Sequence, residues 1–168
     1  MQVFTASSQG WLTYGHVKLR CAIGKGGTKL PTDKREGDGA SPLGTWPIRS
    51  VMWRSDRGPK PDGGFEAIAI KPDDGWCDAS DDPNYNRPVT HPYPASAEHL
   101  WRDDGLYNII VVLGHNDDPV VPAMGSAIFM HCASEDYQPT AGCVALAEAD
   151  LRALLAVARP GDAVAFTD

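Results

Sequence analysis

The chain has 168 residues, 42% hydrophobic and 22% charged, which is enough apolar material for one domain with its own core. Fifteen Lys plus Arg against 22 Asp plus Glu leave a formal net charge of −7, with no basic run. Nucleic acid and anionic membrane surfaces are therefore poor partners, and no apolar stretch approaches the roughly 20 residues of a membrane span.

The first 24 residues have neither a basic start nor a following apolar block, so no signal peptide is expected. Gly10 to Tyr14 and Val17 to Ile23 read as strands of a hairpin, with Gly15 at the turn. Val17, Leu19, Cys21 and Ile23 alternate onto one face. Gly24-Lys25-Gly26-Gly27 is a loop that lacks the spacing of a phosphate-binding loop. Thr32 to Gly44 is polar and turn-rich, Trp46 to Met52 is extended, and Ala67 to Ile70 is a short strand. Pro72 to Pro94, with Asp73, Asp74, Asp78, Asp81 and Asp82, reads as a long functional loop or a mobile lid. A helical patch is expected near Ala95 to Trp101. Leu106 to Leu113 is a continuous apolar run typical of a buried strand, and Ala127 to His131 is a second strand. Leu151, Leu154, Leu155 and Ala158 mark a helix that opens near Ala147 and stops at Pro160-Gly161. Ala163 to Phe166 closes the chain as a strand. With no internal repeat and 17 Gly and 14 Pro to make turns, residues 1–168 read as a single, mainly β domain with one or two peripheral helices.

Four cysteines, Cys21, Cys77, Cys132 and Cys143, form no C-x-x-C and no spacing typical of a disulfide framework. Cys21 and Cys132 are expected to pack as small hydrophobes. Cys143 differs, because a strand ends at His131, a polar loop follows, and Thr140-Ala141-Gly142-Cys143 comes next. A thiol of ordinary pKa is only a few per cent thiolate at neutral pH, and an imidazole is the usual partner that activates it. A returning loop of this length can bring His131 to Cys143. Gly142 permits an unusual backbone angle and close approach beside the sulfur. The Gly142 and Cys143 N–H groups, expected at the start of a helix, suit a developing oxyanion.

His131, Thr140-x-Gly142-Cys143 and the upstream Ser41-Pro42-Leu43-Gly44-Thr45-Trp46 together resemble the YkuD-type L,D-transpeptidase catalytic domain. The likeness spans about Val17 to Phe166, with the motifs in the family's order. It implies a β-sandwich or barrel of mixed sheets and a cysteine acyltransferase that cross-links peptidoglycan stem peptides. Cys143 would attack the bond between the diamino acid and the following D-residue, giving a thioester that an acceptor amine resolves, in 3,3 or 1,3 cross-links. His131 would be the general base, its other ring nitrogen held by a carbonyl such as that of Cys132, and Gly142 would serve the oxyanion. No metal or cofactor is implied. Carbapenem-type β-lactams are expected inhibitors, the chain is expected to be a monomer, and the substrate implies the periplasm or cell envelope.

The chain departs from the family's S-H-G-C-[IV]-R pattern, since Ala141 stands in the His place and Ala145 in the Arg place. Without that Arg, some other group must hold the stem. Thr140, Arg87, His115 and Asn116 are the substrate-binding candidates, with Trp76 and Asp78 of a Trp-Cys-Asp element that also resembles this branch. The plainer alternatives are a surface-loop role for His115 and a loop-anchoring role for Trp76. An L,D-carboxypeptidase or amidase would use the same thioester with water as acceptor. A non-catalytic wall- or metal-binding module is the reading from another class, but His91, His99, His115, His131 and Cys132 lack the spacing of a zinc motif.

Overall fold

The computed structural model describes residues 1–168. Fourteen strands and one helix follow the chain: β1 (Val3–Ser7), β2 (Trp11–Tyr14), β3 (Val17–Ala22), β4 (Thr28–Lys29), β5 (Ser41–Pro42), β6 (Gly44–Trp53), β7 (Ala67–Ala69), β8 (Asp74–Cys77), β9 (Pro88–Thr90), β10 (Ala97–His99), β11 (Ile109–Leu113), β12 (Phe129–Cys132), β13 (Val144–Leu146), α1 (Glu148–Val157) and β14 (Ala163–Thr167).

Nine strands form the main sheet in the order β11-β12-β13-β3-β2-β1-β14-β6-β7, and β6 also pairs with β11. The ten-residue β6 thus serves three neighbours: Gly44 to Pro47 pair with β14, Ile48 to Trp53 pair with β11, and Val51 to Trp53 also pair with β7. This closes the hydrogen-bonded circuit, so the buried run Ile109–Leu113 has a partner strand on each side. The sheet is mixed, with β1–β14, β12–β13 and β6–β7 parallel.

The main core gathers Phe4, Leu12, Val111, Met130, Val144, Val164 and Phe166 with the buried face of α1, Leu151, Leu154 and Leu155. The helix is short and has no side-chain cap at Ala147, so burial of that leucine stripe is what holds it. A smaller apolar cluster lies elsewhere in the fold: Ile70, Leu100, Tyr107, Ile110, Val112, Phe129 and Cys143.

The structure departs from the sequence expectations at β1, in residues 72–101 and after Cys143. The Pro72–Pro94 segment holds β8 and β9, and the expected helical patch is β10; these strands form a separate sheet in the order β10-β8-β9. The residue after Cys143 enters β13 instead of a helix, because Val144 to Leu146 add to β12 on one side, and Ala145 and Leu146 pair with β3 on the other. The single helix, within the one or two expected, follows β13. All four cysteines are free and buried.

Candidate active site

Side chains alternate along a strand. On β12, Met130 and Cys132 join the main core, while Phe129 joins the smaller cluster with Cys143 and His131 follows it on the same face. The parallel β12–β13 register sets Met130 opposite Val144, so Cys143, one residue earlier, falls level with Phe129. The Phe129 N–H donates to Cys143 Sγ at 3.3 Å, and the thiol in turn donates to Ala127 O at 3.3 Å. Cys143 and His131 line one cavity of about 620 Å³ together with Thr140, Asp78, Glu98, Arg102, Tyr107 and Lys34.

His131 Nδ1 lies 2.8 Å from Cys132 O. A carbonyl oxygen can only accept, so Nδ1 carries the hydrogen and Nε2 is left with its lone pair. Burial pushes the imidazole down to about 4, against the opposing pull of that carbonyl. Burial, with the nearby Glu98 carboxylate, pushes the Cys143 thiol up to about 12; the Phe129 N–H and Lys34 act in the other direction. At rest both groups are therefore neutral, a thiol and an imidazole.

Three further observations define the loop around Cys143. Gly142 has φ +134°, and a Cβ there would lie 2.9 Å from Ala40 O, so only glycine fits. The Gly142 N–H donates to Thr140 Oγ1 at 3.1 Å, and that hydroxyl donates to Cys143 O at 2.7 Å. The expected pair of oxyanion donors thus reduces to one, the Cys143 N–H, which has no partner within the protein. Thr140 lines the cavity, but its hydroxyl is spent on the loop.

Of the remaining candidates, Asp78 lines the cavity, and its Oδ1 is buried without a partner. The structure does not bring the others there. Trp76 bonds Asn86 Oδ1 through its indole N–H and packs edge-on to Phe129, which is the anchoring role. Arg87 donates to Asp117 O and Asn86 O beside a second cavity of about 340 Å³. Asn116 is a loop pin, bonded to Val121 and Gly125. His115, a substrate-binding candidate with a surface-loop role as the alternative, fits neither: it is 4% exposed and packs edge-on against Trp46.

Sequence reasoning gave no site role to Glu98 and Arg102, and took Tyr107 only as core or groove wall. Tyr107 OH donates to Glu98 Oε1 at 2.9 Å, and its ring packs edge-on to His131. Burial raises the Glu98 carboxyl above its usual range, and the neighbouring Asp78 adds to the effect. Arg102 is the guanidinium of this cavity; it is bonded to Asp104 and lies over the Tyr107 ring. No local pattern marks these three, which come together through the pairing of β10 with β8 and the approach to β11.

Two solved structures are similar at the level of a remote likeness. L,D-transpeptidase 1 of Mycobacterium tuberculosis is 14% identical, with 99% of this chain and 62% of that chain covered, at a TM-score of 0.43. An L,D-transpeptidase from Mycobacterium smegmatis is 14% identical, with 99% and 58% covered, at a TM-score of 0.45. This chain thus spans less than two thirds of either protein. None of the curated proteins compared with the chain matches it. The family comparison is independent of those overlays and covers nearly every element described above. Residues 3–165 match YkuD, the L,D-transpeptidase catalytic domain, and the chain belongs to that family.

Proposed function

We propose that residues 1–168 act as one catalytic domain, a cysteine L,D-transpeptidase that cross-links peptidoglycan stem peptides in the cell envelope. The observation that carries this reading is the shared cavity wall of Cys143 and His131, with the imidazole tautomer set by Cys132 O. As Cys143 Sγ attacks the donor carbonyl, its proton passes to His131 Nε2 and the Cys143 N–H receives the developing oxyanion. The C–N bond then breaks, and His131 returns the proton to the departing D-amino acid, leaving a thioester. An acceptor amine attacks the thioester and gives up a proton through His131; the C–S bond breaks, and the sulfur is reprotonated.

The neutral resting pair supports this order of events. A thiol held near 12 by burial does not wait as thiolate, so the reaction needs the base in place when the carbonyl arrives. Arg102 is the group proposed to hold a stem carboxylate in place of the absent motif Arg. Purified protein incubated with tetrapeptide-stem muropeptides tests the assignment. Cross-linked dimers are the expected product. Tripeptide monomers alone would make the protein a hydrolase, and no change would remove the stem peptides as substrates. A carbapenem is expected to acylate Cys143, read as an adduct by intact mass.

A further inference from the structure

The Ser41-Pro42 element and the Cys143 loop meet through one buried contact. Ser41 is 0% exposed; its Oγ accepts the Gly24 N–H at 3.0 Å and donates to Gly142 O at 2.8 Å, across 101 residues of sequence. We propose that Ser41 is a positioning residue that fixes the Gly142–Cys143 peptide so that its N–H faces the reacting carbonyl. This rests on the acyl-transfer reading of the site.

The argument is one of peptide geometry. In a planar trans peptide the C=O and N–H point in opposite directions. Holding Gly142 O toward Ser41 therefore turns the Cys143 N–H away from it. Gly142 sits at φ +134°, where the residue itself has no side chain to settle which way the following peptide lies. Thr140 does not settle it either. Its hydroxyl holds the peptide before, through the Gly142 N–H, and the peptide after, through Cys143 O. The Gly142–Cys143 peptide is the one left over, and Ser41 is what holds it. Because the Gly24 N–H already occupies one side of the Ser41 oxygen, the hydroxyl hydrogen is directed at Gly142 O. The neighbouring backbone is braced by the Lys25 N–H to Thr140 O and the Thr140 N–H to Ile23 O. Turned the other way, the peptide would aim a carbonyl dipole at the forming oxyanion.

Two reagents separate this role from a purely structural one, each read by mass mapping at Cys143 in the full chain. Iodoacetamide is displaced at a saturated carbon: a C–S bond forms, iodide leaves and no oxyanion develops. 4-Nitrophenyl acetate passes through a tetrahedral oxyanion before nitrophenolate leaves. Ser41→Ala is expected to lower the acylation rate about 100-fold while the alkylation rate stays near wild type. Ser41→Thr, which keeps the hydroxyl, is expected to restore the ratio. An unchanged ratio in Ser41→Ala, or an equal loss in both rates, overturns the proposal. If the alanine variant does not fold, Ser41→Cys carries the test with a smaller expected drop, and a wild-type ratio there also overturns it. The ester bears no stem peptide, so failure of the wild type on muropeptides would strike the substrate assignment and leave this ratio readable. A wild-type Cys143 that neither reagent modifies would overturn both.

Discussion

Cys132 ends β12 and Cys143 immediately precedes its partner β13; both are buried, and burial pushes both thiols up to about 12. His131 and His115 make a second matched pair, buried imidazoles that burial pushes down to about 4. Neither burial nor the shifted pKa tells the members apart. The difference lies in what each group is bonded to and what it faces. Both residues line the cavity, but Cys143 takes an N–H from Phe129 on its sulfur, whereas Cys132 belongs to the apolar core that includes the buried face of α1. His131 Nδ1 is committed to a carbonyl, which frees Nε2, whereas His115 Nδ1 is buried with no partner and its ring packs on Trp46. A perturbed pKa is a signature of a dry environment, and it becomes chemistry only where a second group and an entry path are present.

Breaking one member of each pair gives the largest effects. Cys143→Ala is expected to remove the acyl-enzyme altogether, with turnover lower by at least about 10⁴-fold. Cys132→Ala should keep turnover and lose about 1 kcal/mol in a urea melt. His131→Gln is expected to slow acylation by about 10²- to 10⁴-fold, measured in single turnover, while His115→Gln leaves the rate near wild type. Equal loss in both histidine variants would dissolve the contrast.

Acid stability sharpens it, because here the two histidines should behave alike. Their folded-state values near 4 lie below the roughly 6.5 of an unfolded chain. Between those limits the unfolded state binds protons that the folded state does not. Stability is therefore complete above about pH 6.5 and declines as pH falls toward 4, by up to about 1.4 kcal/mol per pH unit for each imidazole. Urea melts between pH 4 and 7 should record a slope that His115→Gln roughly halves. Activity follows His131 alone, with acylation persisting through mildly acidic pH and failing as the base is protonated near 4. The smallest expected effect separates the two cavities: Asp78→Asn should raise KM for the stem a few-fold, about 1 kcal/mol, with kcat nearly unchanged. Arg87→Ala, beside the second cavity, should alter neither.

How much of this could be read in the chain follows from the range of the interactions involved. Val17–Ala22, the Ile109–Leu113 run, the leucine stripe of α1 and the closing strand each carry their own periodicity, so they are legible locally. Cys143, His131 and Gly142 are legible through motif order, and the Cys132 carbonyl contact was expected from the same motif. The β8–β9–β10 sheet is not legible in this way. Its strands are three or four residues long, carry Asp, Gly, Pro and His, and exist through pairings such as Glu98 with Trp76. Ala97–His99 has helix-forming residues and becomes a strand because β8 offers an edge. Glu98 reaches the cavity only by that pairing, which is why it escaped notice. β1 was missed although Phe4 and Ala6 alternate into the core, since its five residues are mostly small or polar.

The most direct test of the account asks which sulfur becomes acylated. A donor stem peptide activated as a thioester, quenched in acid and digested, should leave its acyl mass on the peptide containing Cys143, with none on Cys21, Cys77 or Cys132. An acyl group mapped to one of those three, with Cys143 unmodified, would contradict it.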